Sequence, residues 1–297
     1  MNKKSLTIAA MLLIVASCAE RKGEYDASGV FETTEITVSA EGNGKITSFT
    51  IEEGDKVNAG DTLGCIDTVQ LHLTKLQLEA NIRAIGSGRY NVTNQIASLE
   101  RQIAKQKQEL ARFTKLAAAG AAGTKQTEDI QSQIDVLEKQ LAAQKETLLN
   151  ANSGVSGKVA ALEAQVAQID DQIRKCVIVS PADGTVLAKY AEEGELASQG
   201  RPLFKVADVD NIKLRAYITA VQLTELKLGQ EMKVFADSGE KGRKEYDGTL
   251  VWISEVAEFT PKTIQTRDER ANLVYPVKIA VKNDGLIKLG MYGEVKF

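Results

Sequence analysis

The chain has 297 residues, 43% of them hydrophobic, with 37 basic and 40 acidic side chains and a net charge of −3. The apolar content is too high for a disordered chain and three cysteines are too few for a disulfide scaffold. The charge balance lacks the basic excess of a nucleic-acid binder, so no nucleic-acid partner is expected. The length suggests about two domains. All four prolines (Pro181, Pro202, Pro261 and Pro276) lie beyond residue 180. Helix interiors exclude proline and turns use it freely, so long helix is expected early and short strands later.

Lys3 and Lys4 precede an apolar run from Leu6 to Val15. That run is too short to span a bilayer, and residues 1–17 read as a secretory leader. Its end, Val15-Ala16-Ser17-Cys18, looks like a bacterial lipobox. On that resemblance Cys18 is the first mature residue and carries the lipid that tethers the protein. The alternative is an ordinary leader with a chance cysteine. A tether is expected over 18–28 and a first barrel strand over 29–37.

Next comes half of an internal repeat, over 38–67. Gly44, Gly54 and Gly60 recur at an offset of 140 as Gly184, Gly194 and Gly200. Glu52-Glu53 matches Glu192-Glu193, and Leu63 matches Leu203. Each copy reads as short strands joined by tight glycine turns and is too small to bury a core alone. Two copies facing each other, 38–67 and 176–208, make a small β-sandwich.

Between the copies, residues 68–175 are rich in Ala, Gln, Lys, Glu and Leu, all strong helix formers. Apolar or small residues recur at Ile96, Leu99, Ile103, Leu110, Phe113 and Ala117, and again at Ile130, Ile134, Leu137, Leu141 and Leu148. Steps of three and four are the coiled-coil period. They predict an antiparallel helical hairpin with its tip near 118–126. Gly86-Ser87-Gly88 going out and Ser153-Gly154 to Gly157 coming back fall at nearly equal distances from the tip. A shared joint is therefore expected near 86–91 and 152–158. Beyond the second half, residues 209–297 alternate at the strand period around Ile212–Ile218. Further strands are expected at Met232–Ala236, Thr249–Ser254, Val274–Val281 and Gly293–Phe297, with a short helix from Ala220 to Lys227. With the first strand they close a small barrel.

The split repeat resembles the biotinyl/lipoyl domain. In carrier domains of that type a lysine on the turn between the halves takes the cofactor. Here the hairpin replaces that turn and no such lysine can be placed, so no cofactor is expected. A lipoyl-like domain interrupted by a coiled-coil hairpin resembles the HlyD-like periplasmic adaptors, or membrane fusion proteins. The fold implied is elongated α+β: hairpin, split lipoyl-like domain and small C-terminal β-barrel. The partners implied are an inner-membrane transporter and an outer-membrane channel of the TolC-like type, with adaptors packed into a ring. Related hairpin tips carry an Arg, a Leu four residues on and a Ser seven further. Arg112 and Leu116 match, Gly120 matches the turn glycine, and the hydroxyl falls one residue late, at Thr124. The stretch Ala257–Thr266, with Arg270 and Leu273-Val-Tyr275, looks like adaptors of ABC-type exporters. The end of the chain at Phe297, directly after the last strand, points the same way, since adaptors of RND pumps usually add a further domain.

No zinc-spaced Cys/His cluster, P-loop, nucleophile elbow or dinucleotide fingerprint appears. The one histidine, His72, reads as a packed or solvated helix residue. Cys65 and Cys176 flank the insertion, either as a disulfide or as two small unpaired thiols. The reading is a non-enzymatic adaptor in the periplasm of a Gram-negative bacterium, lipid-anchored through Cys18, with the inner membrane and an ABC-type partner favoured. Its rivals are an RND-pump adaptor, a structural coiled-coil envelope lipoprotein and, remotely, a carrier subunit.

Overall fold

A computed structural model describes residues 25–121, 123–237, 242–259 and 273–297. The leader, Cys18 and residues 260–272 of the exporter-like stretch lie outside the described residues. None of the described helices is long and apolar enough to cross a membrane.

The chain begins with β1 (Ala27–Glu32) and β2 (Glu35–Ser39). The expected single strand over 29–37 is thus two strands in two different bodies. β1 pairs with barrel strands, whereas β2 pairs with the sandwich strand Pro202–Ala207. The crossing at Thr33 is pinned by its hydroxyl, which donates to the Asp208 carbonyl at 2.8 Å. The sandwich therefore starts at Glu35, and the barrel strand reaches back to Ala27, into the segment expected to be tether.

The first repeat gives β3 (Gly44–Phe49), β4 (Lys56–Val57) and β5 (Thr62–Ile66). The second gives β6 (Val177–Val179), β7 (Gly184–Lys189), β8 (Leu196–Ala197) and β9 (Pro202–Ala207). They form two four-stranded sheets, ordered β2-β9-β7-β4 and β6-β5-β3-β8. Each sheet takes strands from both repeats, because each copy lends its short middle strand to the other. Gly44 pairs with Ala197, and Val57 with Gly184, which is the same pairing shifted by the repeat. The turn glycines repeat the exchange. Gly54 N–H donates to the Val186 carbonyl and Gly194 N–H to that of Ile46, both at 2.9 Å. Gly60 reaches Ser180 and Gly200 reaches Ala40, both at 2.8 Å. Gly54, Gly60, Gly194 and Gly200 sit at φ of 96°, 88°, 93° and 86°, the region that favours glycine. Equivalent side chains fill one core: Ile46 and Val186, Ile51 and Ala191, Val57 and Ala197, Leu63 and Leu203, Ile66 and Val206. Neither half could bury these alone.

The excursion holds α1 (Val69–Gly86), α2 (Val92–Ala118) and α3 (Thr124–Lys175). Ile96 and Ile103 of α2 and Ile134 and Leu148 of α3 are buried in the seam. Lys107 meets Glu138 at 2.6 Å and, nearer the base, Lys75 meets Asp170 at 2.6 Å. The expected joint exists on the outgoing arm only; α3 runs unbroken through Gly154 and Gly157. Both glycines are open to space, where a Cβ would meet nothing within 4 Å, and the strong helix formers Leu148-Leu149 before them and Ala160-Ala161-Leu162 after them carry the helix across. The outgoing arm has what the return arm lacks, a restart signal: the Asn91 side chain accepts from Asn94 N–H at 3.1 Å as an N-cap. The intact arm then satisfies the broken one. Asn152 accepts from Tyr90 N–H at 2.8 Å and donates to the Tyr90 carbonyl at 2.9 Å.

The remaining strands are β10 (Asn211–Thr219), β11 (Glu231–Asp237), β12 (Arg243–Ile253), β13 (Glu258–Phe259), β14 (Leu273–Lys282) and β15 (Tyr292–Lys296). The order β10-β1-β15-β11-β12-β14 closes through a β10–β14 pairing into a six-stranded barrel, with β13 added beside β14. Its core is built on Phe31, Leu214, Ile218, Val234, Leu250, Ile279 and Val295. The short helix α4 covers only Ala220–Leu223, started by a Thr219/Gln222 capping box.

Candidate functional site

The hairpin tip is built by a helix stop. Gly120 lies at φ 72° and its N–H donates to the Ala117 carbonyl at 2.9 Å. Ala121 N–H reaches back to the Leu116 carbonyl at 2.9 Å. This pair of bonds is a Schellman motif, which satisfies the carbonyls of the last turn and turns the chain back. Gly123, in an extended conformation, precedes Thr124, the first residue of α3. Arg112, Leu116, Gly120 and Thr124 are thereby gathered at one end of the hairpin, all exposed.

Arg112 keeps most of its side chain in water. It pairs with Glu109 on its own helix at 3.1 Å and lies 5.1 Å from the Phe113 ring centroid. Such an exposed pair contributes under about 1 kcal/mol, so the guanidinium can exchange partners at little cost. Leu116 is 40% exposed and no seam residue covers it fully. The tip thus presents a cation and a partly exposed apolar side chain next to the turn that stops α2.

At the base, the two cysteines of the described residues are both free. Cys65 stands opposite Val177 in the β5–β6 ladder, while Cys176 is buried in the sandwich core. Burial first, and then the neighbouring Cys65, push the Cys176 thiol up from its ordinary value. An inert thiol results. The described residues contain no group of His, Cys, Asp and Glu able to hold a metal ion. Two features escaped the sequence reading. Glu52, noted in the sequence only for its match to Glu192, ion-pairs with Lys189 at 3.1 Å, and Glu53 accepts from Lys189 N–H at 3.1 Å. Asn152 gave no signal in the helical pattern, since its role appears only beside the broken arm.

Residues 34–209 match the family model described as "RND MFP, barrel-sandwich hybrid domain", MFP standing for membrane fusion protein. The chain belongs to the membrane fusion protein family. It is an adaptor protein of efflux systems. The UPF0194 membrane protein of Yersinia pseudotuberculosis is 27% identical over 328 residues, covering 100% of this chain and 99% of its own. A UPF0194 membrane protein of an Enterobacter strain is 24% identical, covering 88% of this chain and 85% of its own. Among solved structures, MacA from Actinobacillus actinomycetemcomitans shares the fold, with a TM-score of 0.52 at 20% identity over 91% of this chain and 76% of its own. A MacA–MexA chimera carrying the Pseudomonas aeruginosa MexA α-hairpin gives 0.53 at 22% identity, over 91% and 79%. An adaptor with its hairpin inserted in a split lipoyl-like sandwich is therefore the fold of this chain.

Proposed function

We propose that this membrane fusion protein joins an inner-membrane exporter to an outer-membrane channel of the TolC-like type, without a catalytic step. The observation that carries this reading is the hairpin. α3 alone has 52 residues, about 78 Å of helix, and starts from the exposed turn that stops α2. A spacer needs the length but no stopped turn presenting Arg112 and Leu116. Arg112 would exchange Glu109 for an acidic or carbonyl-rich helix end on the channel, Leu116 would fill an apolar gap beside it, and Thr124 would supply a hydroxyl. Acylated Cys18 would hold the other end at the inner membrane, and several copies would stand side by side as a ring. The conduit passes its cargo along.

The transporter is read as ABC type, on the likeness of 257–275 to adaptors of such exporters. An RND partner is the second reading, favoured by the wording of the matching family model. Pull-down of the acylated protein from its own envelope tests the two, by recovery of an ATPase-permease or of an RND pump. For the tip, cross-linking to the channel is measured in Arg112→Ala, Leu116→Ala and Thr124→Ala chains together with export. Loss of both is expected; lost export with unchanged cross-linking removes the docking role.

A further inference from the structure

The barrel has two unlike ends. At one, β1 leaves for β2 and β9 returns into β10, so this end faces the sandwich. The registers gather the opposite end from Thr219 beside Val274, Ala27 beside Val295, and Glu231 beside Thr249. That rim carries Val221 at 75% exposure, Val256 at 70% and Leu228 at 66%. Each stands on a separate connection: α4, the turn between β12 and β13, and the turn before β11. Single exposed apolar residues are ordinary on a protein surface. Here three of the five most exposed large apolar side chains among the described residues share one rim.

The N-terminal segment departs from the same rim. Asp26 N–H donates to the Val295 carbonyl at 3.0 Å, its carboxylate accepts from Phe297 N–H at 3.0 Å, and its carbonyl accepts from Gln222 of α4 at 2.7 Å. Residues 18–24, seven counting Cys18 itself, precede Tyr25. Fully extended, they reach roughly 25 Å. A lipid on Cys18 therefore holds this rim close to the bilayer surface.

We propose that Val221, Leu228 and Val256 enter the lipid surface, so that the barrel is seated on the bilayer and not merely tied to it. The proposal takes its orientation from the reading of Cys18 as acylated. The several acyl chains of a lipobox cysteine tie the chain to the bilayer without fixing its orientation, and three apolar tips on one rim supply that orientation. A seated barrel also restrains the adaptor against swinging about a seven-residue tether, which keeps the hairpin aimed at its channel.

The test has two arms, on vesicles of phosphatidylethanolamine and phosphatidylglycerol. In the first, the acylated chain in a Cys65→Ala background carries a fluorophore on Leu228→Cys or, at the sandwich-facing end, on Leu286→Cys. Lipids brominated in their acyl chains are expected to remove most of the emission at 228 and none at 286. In the second, the Cys18→Ser chain is floated with the vesicles. Val221→Ser, Leu228→Ser and Val256→Ser together are expected to lower its partition at least about tenfold, with the melting temperature unchanged. An unquenched probe at 228 on a floating chain, cross-links from 228 to a membrane protein in its place, or the absence of rim-dependent flotation overturns the proposal. Failure of the acylation reading shows separately, as a Cys18 peptide without acyl mass, and the unacylated arm still decides the rim.

Discussion

Gly184 sits where a Cβ would lie 2.6 Å from the Ala207 carbonyl oxygen, and Gly157 where it would meet nothing within 4 Å. Gly184→Ala must push two backbones apart inside the sheet β2-β9-β7-β4, and a loss of about 1–3 kcal/mol is expected. Gly157→Ala fills an exposed helix position and should stabilise α3 by about 1 kcal/mol. Urea unfolding of the two variants checks the opposite signs. A third residue sets a pH dependence. Lys244, then Leu286 N–H and Tyr246, hold the Asp284 carboxylate, and its pKa falls from 3.8 to about 2. This tie joins β12 to the loop before β15. The folded value lies below the unfolded one, so the stabilisation is complete above about pH 4 and is lost as pH falls through 2. Asp284→Asn should therefore melt below the parent at neutral pH, and the difference should shrink as the melting series descends from pH 4 to pH 2 and vanish below it.

The arms of the hairpin differ in how they treat glycine, and one side chain explains how the difference is tolerated. Asn152 supplies both an acceptor and a donor to the Tyr90 backbone, where the outgoing helix is interrupted. Asn152→Ala leaves those two groups to water at an exposed joint, for a loss of about 1–2 kcal/mol. Faster amide exchange confined to residues 86–91 is the expected signature, and unchanged exchange there would show that the joint is held by other contacts. The repeat and the coiled-coil seam were legible because both are periodic, and period survives in a single chain: the glycine spacings matched to the residue, and Ile96, Ile103, Ile134 and Leu148 are buried. The joint was legible on one arm only. Glycine signals where a helix is weakened, but whether it breaks depends on a cap such as Asn91 and on the neighbouring arm. The run from Gly29 to Thr37 was read as one strand because no glycine or proline marks the crossing at Thr33. Which strands pair there is decided by partners more than 160 residues away in the chain. The tip residues could be placed from a likeness; their exposure and the Schellman turn that presents them needed the fold.

At the scale of the whole molecule, the chain is two β bodies and a rod, and the two-domain expectation from length does not describe it. The sandwich closes only after the rod has been made, so the rod's length is independent of either β core. That independence makes the length itself a testable property. The ion pair of Lys107 with Glu138 and the contact of Tyr90 with Asn152 fix which parts of the arms face one another. Residues 97–103 and 142–148 lie opposite each other between these marks. Removing both segments takes away two helical turns from each arm, keeps the seam in phase and shortens the reach by about 10 Å. The cores of the sandwich and barrel contain no residue from either segment, so the circular dichroism melt should keep its β transition and lose only helical amplitude. If the adaptor bridges a fixed gap, export should fall to the level of a deletion strain while the protein remains membrane-bound. Restoring seven residues to one arm alone should not rescue it, because the seam would then be out of register. Full export by the shortened protein would mean that the hairpin is a spacer without a fixed target, and would count against the adaptor reading of the tip.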